Sequence, residues 1–229
     1  MKRSEINMIM KNAVEFMSQM SFKLPPFAFW GYREWKVKGS ECDEIRDNML
    51  GWDITDFGSG DFANTGLLMF TSRNGNFNLK KYAKPYAEKL LVVEEEQVTP
   101  FHFHWSKMED IINRGGGNLL IQVYNSSSDE GFEETPVLVN SDGRSYYVEA
   151  GDVIRLTPGE SITLPSGLYH KFWGEVGTGR VLLGEVSKVN DDRTDNRFYE
   201  SVGRFPRIEE DTEPLYLLCN EYPSASAPR

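Results

Sequence analysis

All three histidines of this chain lie in two short motifs whose spacing suits a single metal ion. His102 and His104 are separated by one residue. In an extended strand, residues two apart point to the same face, so both imidazoles are directed at one point. His170 follows a predicted tight turn shaped by Pro165 and Gly167, which begins the strand that carries it. We expect one ion to be bound by all three side chains.

Glu109 is the predicted fourth ligand. It lies five residues beyond His104, just past a predicted turn at Ser106 and Lys107, and can return to the same point from the adjoining strand. Three imidazoles and one carboxylate suit Mn²⁺, Fe²⁺, Co²⁺, Ni²⁺ or Zn²⁺, and an octahedral ion would keep two positions open for water or substrate. Taken alone, a His-x-His pair is more often a surface pair. The combination with Glu109 and the second motif favours a metal site.

The elements that must position these residues are predicted to be mainly β. Apolar residues recur at helical spacing from Ser4 to Met20, with Ser4 as the expected N-cap, and an irregular aromatic arm is predicted from Phe27 to Trp35. A short second helix is predicted over 42–49. Eleven β-prone runs follow, enough for a closed barrel. The runs are 66–71, 89–93, 101–105, 118–124, 135–138, 146–148, 153–156, 161–164, 170–173, 180–187 and 215–218.

Composition limits the class of protein. The 229 residues carry a net charge of −10, which opposes a nucleic-acid phosphate backbone, so we expect no nucleic-acid partner. Charged and polar residues interrupt every apolar stretch, so neither a membrane helix nor a signal sequence is expected. Cys42 and Cys219 lie far apart and form no close-spaced pair, which favours a reducing cytoplasm.

The two histidine motifs resemble those of the cupin superfamily. The first motif matches through Gly116, although Glu96 replaces its leading glycine; the second matches from Gly159 to His170, with Gly174 in place of an asparagine. Neither departure touches a predicted ligand. The resemblance implies a single cupin barrel, of the jelly-roll type, over 61–229, with N-terminal helices and arm over 1–60 packed on it as one structural domain.

Over most of its length the chain looks like the D-lyxose isomerases. The run from Lys107 to Gly117, together with 185–187 and 190–192, carries this likeness. The resemblance implies a manganese-preferring enzyme that interconverts D-lyxose and D-xylulose, with D-mannose and D-fructose as poorer substrates. Such an enzyme uses a metal to chelate O1 and O2 of the sugar and moves a proton between C1 and C2 through a cis-enediol.

Glu185 and Lys107 are the predicted catalytic residues. Glu185 lies in the middle of an apolar strand, where an inward carboxylate could act as general base and an outward one would be ordinary. Lys107 could stabilise oxyanion charge or relay a proton; the alternative is a solvated turn lysine. Lys89, Asp195 and Arg197 are the predicted sugar-binding residues, the last two from the polar loop 191–197. The alternatives are a lysine at the barrel rim and a solvated loop.

Two other functions fit the same motifs. An Fe²⁺ dioxygenase uses the same four ligands but would favour an apolar cavity beside the metal, and a non-catalytic sugar-binding cupin would often lose ligands. We also expect a homodimer, because the Phe27–Trp35 arm offers aromatic surface for contact between two copies.

Overall fold

Two antiparallel β-sheets make up most of the molecule. The computed structural model describes residues 1–192 and 194–225. One sheet has eight strands in the order β1-β2-β3-β13-β5-β11-β8-β9, and the other is ordered β10-β6-β12-β4-β14, with β7 paired to β6. The strands are β1 Gly51–Thr55, β2 Leu67–Arg73, β3 Tyr86–Val93, β4 Thr99–His104, β5 Glu109–Gly116, β6 Leu119–Ser126, β7 Phe132–Glu133, β8 Val137–Ser141, β9 Arg144–Val148, β10 Val153–Leu156, β11 Ser161–Leu164, β12 Leu168–Gly174, β13 Val181–Lys188 and β14 Asn196–Phe198.

The two sheets enclose one hydrophobic core. Side chains from the eight-stranded sheet, such as Leu91 and Ile111, pack in the same cluster as Val123 and Phe172 from the other sheet. Each fully buried side chain of this size contributes roughly 1.5–3 kcal/mol. The predicted mainly β fold with a helical N-terminal extension is confirmed.

The outer face of the eight-stranded sheet is covered by the N-terminal helix. Helix α1 spans Arg3–Gln19, and its residues Ile6, Met10 and Met17 pack in a second core with sheet residues such as Phe70. The central strands are therefore buried on both faces, which explains the continuous apolar runs Leu67–Phe70 in β2 and Leu90–Val93 in β3.

The predicted N-cap was wrong. Helix α1 begins at Arg3, with Lys2 in the N-cap position, and Ser4 lies inside the helix with its hydroxyl donating to Asp211 at 2.6 Å. Arg3 is fully buried and donates to Glu210 at 2.7 Å. Contacts with the distant C-terminal segment therefore fix the start of this helix, overriding local capping preference.

The aromatic arm folds against its own chain. Pro26–Phe29 forms a 3₁₀ turn, α2 spans Tyr32–Trp35, and Trp35 is fully buried in a stack with Tyr222 at 4.0 Å. The predicted second helix is shorter than expected: α3 spans Asp43–Asp47, after a 3₁₀ turn at Ser40–Cys42.

Four strands were not predicted, and one predicted strand is not a strand in the structure. Strands β1, β5, β7 and β14 were not among the predicted runs, whereas 215–218 contributes only an isolated bridge between Leu218 and Trp52. Strand β1 lies within the predicted N-terminal segment 1–60 and pairs with β2. The division of the chain at residue 60 stays a prediction. Within the described residues, no helix is both long and apolar enough to cross a membrane.

The glycine turn after β5 depends on one buried side chain. Asn113 is fully buried; its amide nitrogen donates to Gly117 O at 2.9 Å and Leu156 O at 3.0 Å, and its oxygen accepts from Gly115 N at 3.0 Å. We expect Asn113→Ala to lower the free energy of unfolding by about 2–4 kcal/mol, because three buried backbone groups lose their partner. Urea denaturation measures this. Asn12→Ala on the surface of α1 is the control, and an equal loss in both variants would contradict the assignment.

Candidate metal centre and its pocket

The three histidines meet across two adjacent strands. His102 and His104 lie on β4 and His170 lies on β12, where it is directly opposite His102. Their ligand nitrogens all lie within 4.8 Å of one another. Phe103, which separates His102 from His104, and Tyr169, which precedes His170, point to the other face of the sheet. Their ring centroids are 4.8 Å apart. Strand alternation thus produces the convergence that the sequence predicts.

Backbone carbonyls orient two of the rings. Nδ1 of His102 lies 2.8 Å from Pro100 O, and Nδ1 of His170 lies 3.0 Å from Leu168 O. Because a carbonyl can only accept, each Nδ1 carries the proton, and each Nε2 keeps its lone pair for a metal.

Glu109 begins β5 and lies beside the histidines. Its Oε1 is 3.2 Å from His104 Nε2 and 3.3 Å from His170 Nε2, and its Oε2 is 2.5 Å from Lys107 Nζ. The side chain is 3% exposed. The structure therefore brings all four predicted ligands together.

The protonation states favour cation binding. Burial lowers the pKa of His102 well below its usual value, with a further contribution from the neighbouring His170. Burial, followed by Lys107, lowers the pKa of His104. Burial opposes ionisation of Glu109, but Lys107 and His104 outweigh it and hold the pKa of that carboxyl well below its usual value. Neutral imidazoles and an ionised carboxylate are the forms that bind metals.

The predicted catalytic pair is in direct contact. Lys107 Nζ donates to Glu185 Oε1 at 2.9 Å, and Lys89 Nζ lies 3.4 Å from the same oxygen. Burial lowers the pKa of Lys107, but Glu109 and Glu185 outweigh it and raise that pKa above its usual value. All three side chains of this lysine–glutamate–lysine group are at least 95% buried. Glu185 is therefore an inward carboxylate, and neither Lys89 nor Lys107 is a solvated surface residue.

A chain of ion pairs extends from Lys89 of this group to Arg204 and Asp53. Lys89 donates to Asp192 at 3.1 Å, Arg204 lies 3.8 Å from Asp192, and Arg204 donates to Asp53 at 3.1 Å. Burial raises the pKa of Asp192, but Lys89 and Arg204 outweigh it and lower that pKa well below its usual value. Asp53 and Arg204 were not predicted as site residues, because nothing in the sequence around them distinguishes them from ordinary charged surface residues.

Two observations indicate that this set of side chains can bind a divalent cation. His170 Nε2 and the Glu109 carboxylate are both buried, and the nitrogen has no hydrogen-bond partner among the described residues. The ionised groups around them carry a net charge of −1, from four carboxylates and three cations. These are Glu109, Glu185, Asp192 and Asp53 against Lys107, Lys89 and Arg204. A cation would offset this excess and give the His170 nitrogen a partner.

A cavity opens beside His102 and His104. Its polar lining is Thr55, Lys89, Thr99, His102, His104, Lys107, Glu109, Glu185, Asp192, Asn196 and Arg204. Its apolar lining includes Phe57, Leu67, Met69, Leu91, Ile111, Phe172 and Phe198. The cavity joins His102, His104 and Glu109 to the Lys107–Glu185 pair, and it combines several polar groups with an apolar wall, as small-molecule sites do.

Two predicted sugar-binding residues do not line this cavity. Asp195 accepts hydrogen bonds from the backbone nitrogens of Ser106 at 2.8 Å and Lys107 at 3.0 Å, so it anchors the turn before Glu109. Arg197 donates to Glu130 at 2.6 Å. On β14 its neighbours Asn196 and Phe198 pair with His104 and His102, so alternation turns Arg197 to the other face. Arg193, from the same polar loop, lies outside the described residues.

Comparisons with known proteins place this architecture in a known family. The family model described as D-lyxose isomerase matches residues 1–222. A D-lyxose/D-mannose isomerase of Serratia proteamaculans is 50% identical over 97% of this chain and 98% of its own length. One from Escherichia coli O157:H7 is 49% identical, with the same coverage.

Among solved structures, an L-ribose isomerase of Cellulomonas parahominis has a TM-score of 0.61 at 15% identity, over 91% of this chain and 98% of that one. This likeness concerns the fold, and the predicted cupin-type barrel is confirmed. The match along nearly the whole chain, with half of the residues identical in the Serratia relative, shows that this protein belongs to the D-lyxose isomerase family.

Proposed function

We propose that this protein is an aldose–ketose isomerase that interconverts D-lyxose and D-xylulose, and also acts on D-mannose and D-fructose. One observation carries the proposal: His102, His104 and Glu109 of the candidate metal centre border the same cavity as the contacting pair Lys107 and Glu185. The relatives named D-lyxose/D-mannose isomerase support the choice of sugars.

The isomerisation moves one proton between two carbons. The proton on C2 of the aldose is transferred to C1, and the O2 hydroxyl proton moves to O1, so the carbonyl changes place with no net loss of atoms. In our assignment Glu185 accepts the C2 proton, which leaves a cis-enediolate, and returns the proton to C1. Lys107 and Lys89 hold its Oε1 in place, which orients the carboxylate.

His102, His104, Glu109 and His170 would hold the metal. A divalent ion bound there would supply Lewis-acid polarisation of the sugar oxygens. Mn²⁺ is the proposed ion, and Co²⁺, Zn²⁺ and Fe²⁺ suit the same donor set. The Lys107 ammonium, held between two carboxylates, would stabilise negative charge on substrate oxygen. Lys89 lines the cavity, and we retain it as a sugar-binding residue.

A screen of aldoses for ketose product tests the proposal. The protein is stripped with EDTA, then assayed with and without added Mn²⁺, in air and without oxygen. We expect ketose from D-lyxose only with metal, and at the same rate in both atmospheres. Oxygen uptake with Fe²⁺ would favour the dioxygenase, and sugar binding without turnover would favour a non-catalytic role.

Asp195 is proposed as a positioning residue. Its carboxylate accepts two backbone hydrogen bonds of the turn between His104 and Glu109. In Asp195→Asn the amide NH₂ group faces one of these N–H donors, so Lys107 and Glu109 should shift. We expect kcat to fall about 10–100-fold with KM changed less than threefold, and Mn²⁺ affinity to fall about tenfold. A rise in KM at constant kcat would instead support direct contact with sugar.

Homodimer formation also belongs to the proposal. Phe29 and Tyr32 of the arm are 42% and 49% exposed, whereas Ala28 and Trp35 are buried by their own chain. Light scattering should return twice the chain mass of 26.2 kDa; a monomer mass would overturn the dimer. The proposed compartment is the cytoplasm, because Cys42 and Cys219 are buried free thiols.

A further inference from the structure

Apart from the candidate metal ligands, two residues in the wall of the metal pocket each have a buried polar atom without a hydrogen-bond partner. The atoms are Oγ1 of Thr99 and Oδ1 of Asn196, and both atoms are buried in the part of the chain that the structure describes. The Thr99 side chain as a whole is only 2% exposed. Nearly all buried polar groups in folded proteins are paired, so two unpaired groups in one cavity require an explanation.

Both atoms lie next to the candidate metal centre. Thr99 begins β4, the strand of His102 and His104, and lies opposite Phe172 of β12. Asn196 lies on β14 directly opposite His104. The two groups therefore flank the histidine strand from its beginning and from its neighbouring edge strand.

The local contacts leave these atoms for a ligand. The amide nitrogen of Asn196 donates to Asp192 O at 3.3 Å, so this bond uses the nitrogen and leaves the oxygen as a free acceptor. The residue opposite Thr99 on β12 is Phe172, which also lines the cavity and offers no polar side-chain partner. A hydroxyl that can donate and accept, and an amide oxygen that can accept, together match the hydroxyl groups of a polyol.

We propose that Thr99 and Asn196 bind hydroxyl groups of the open-chain sugar and so contribute to substrate specificity. The inference rests on the proposed isomerase function and names two binding residues that the sequence did not single out. A substrate that lacks the paired hydroxyl would leave these groups unpaired in the complex, and sites of this kind reject such analogues strongly.

Thr99→Val tests the assignment, because it removes the hydroxyl and keeps the shape. With Mn²⁺ added, we expect kcat/KM for D-lyxose to fall about 10–100-fold while the melting temperature stays equal or rises, since no protein hydrogen bond is lost. Among deoxy analogues of D-lyxose lacking O3, O4 or O5, one should be turned over equally by wild type and variant. Asn196→Ala should show the same kinetic pattern.

Thr163→Val is the matched control. Thr163 donates to Asp110 on the paired strand β5, outside the pocket lining. Its loss should lower the melting temperature and leave kcat/KM unchanged. The opposite signatures of the two threonine variants separate a binding role from a structural one. A Thr99→Val enzyme with kcat/KM within twofold of wild type on D-lyxose would overturn the proposal.

A binding measurement separates failure of this proposal from failure of the isomerase function. Calorimetry uses D-arabinitol, the reduced and unreactive form of D-lyxose, with the Mn²⁺-loaded protein. We expect Thr99→Val to raise Kd about 10–100-fold. Equal Kd values in wild type and variant, or no binding to wild type, would overturn the role of Thr99. Binding that depends on Thr99 without ketose formation would overturn the isomerase reaction alone.

Discussion

Glu185→Gln is expected to lower kcat about 1,000- to 10,000-fold, with KM for D-lyxose changed only a few-fold. The amide keeps the shape of the side chain and can still accept from Lys107, but it cannot take a proton from C2. General acid–base groups typically contribute about 100- to 10,000-fold to the rate, and this one is proposed to act in both half-steps. Steady-state kinetics with saturating Mn²⁺ measures the effect.

Two controls make the Glu185 result specific. Glu88→Gln changes a carboxylate on the adjacent strand β3 that faces Arg73 on the molecular surface, and it should leave kcat unchanged. In D₂O, wild type should place deuterium at C2 of the aldose formed from D-xylulose, because the proton passes through the carboxylate and can exchange there with solvent. A kcat within tenfold of wild type in Glu185→Gln, with no label from solvent, would contradict proton transfer by this residue and favour a hydride shift.

His170→Ala is expected to remove metal binding and to reduce kcat/KM at least about 1,000-fold. The ring is one of the three proposed imidazole ligands, and a Lewis acid contributes several kcal/mol to such a reaction, at about 1.4 kcal/mol for each factor of ten. Metal analysis of the purified protein should show less than one tenth of the wild-type content. Added Mn²⁺ should raise the melting temperature of wild type and leave that of the variant unchanged.

Tyr169→Phe is the matched control for His170→Ala. Tyr169 is the preceding residue of β12 and points to the other face, where its hydroxyl donates to Glu130 O at 2.6 Å. The change should lower stability by about 1 kcal/mol and leave metal content and kcat unchanged. Full metal occupancy in His170→Ala, or equal metal loss in both variants, would show that the three histidines do not form the metal centre.

The residue pattern was enough to predict the candidate metal centre. Residues two apart on a strand share a face whatever the rest of the fold, so His102 and His104 had to converge once that segment was extended. The length of the turn to Glu109 also limits where this carboxylate can lie. The long amphipathic helix was predicted for the same reason, since its apolar spacing is a local property.

Other features depend on contacts between distant residues. The start of α1 is set by ion pairs from Arg3 to Glu210 and Glu221, about two hundred positions away, which no local capping pattern contains. Asp195 was expected to touch sugar because its loop is polar, but the return of β14 alongside β4 places its carboxylate on the backbone of the Lys107 turn.

The sequence by itself determined the chemistry that gathers at the centre, namely three imidazoles and a carboxylate, because their relative directions follow from the period of a strand. Only the tertiary structure decided what surrounds them. The pairing of β13 with both β3 and β5 brings Glu185 between Lys89 and Lys107, and the folding of β14 onto β4 places Asn196 opposite His104. Such neighbours come from strand order, which depends on burial of the whole core rather than on the residues of any one segment.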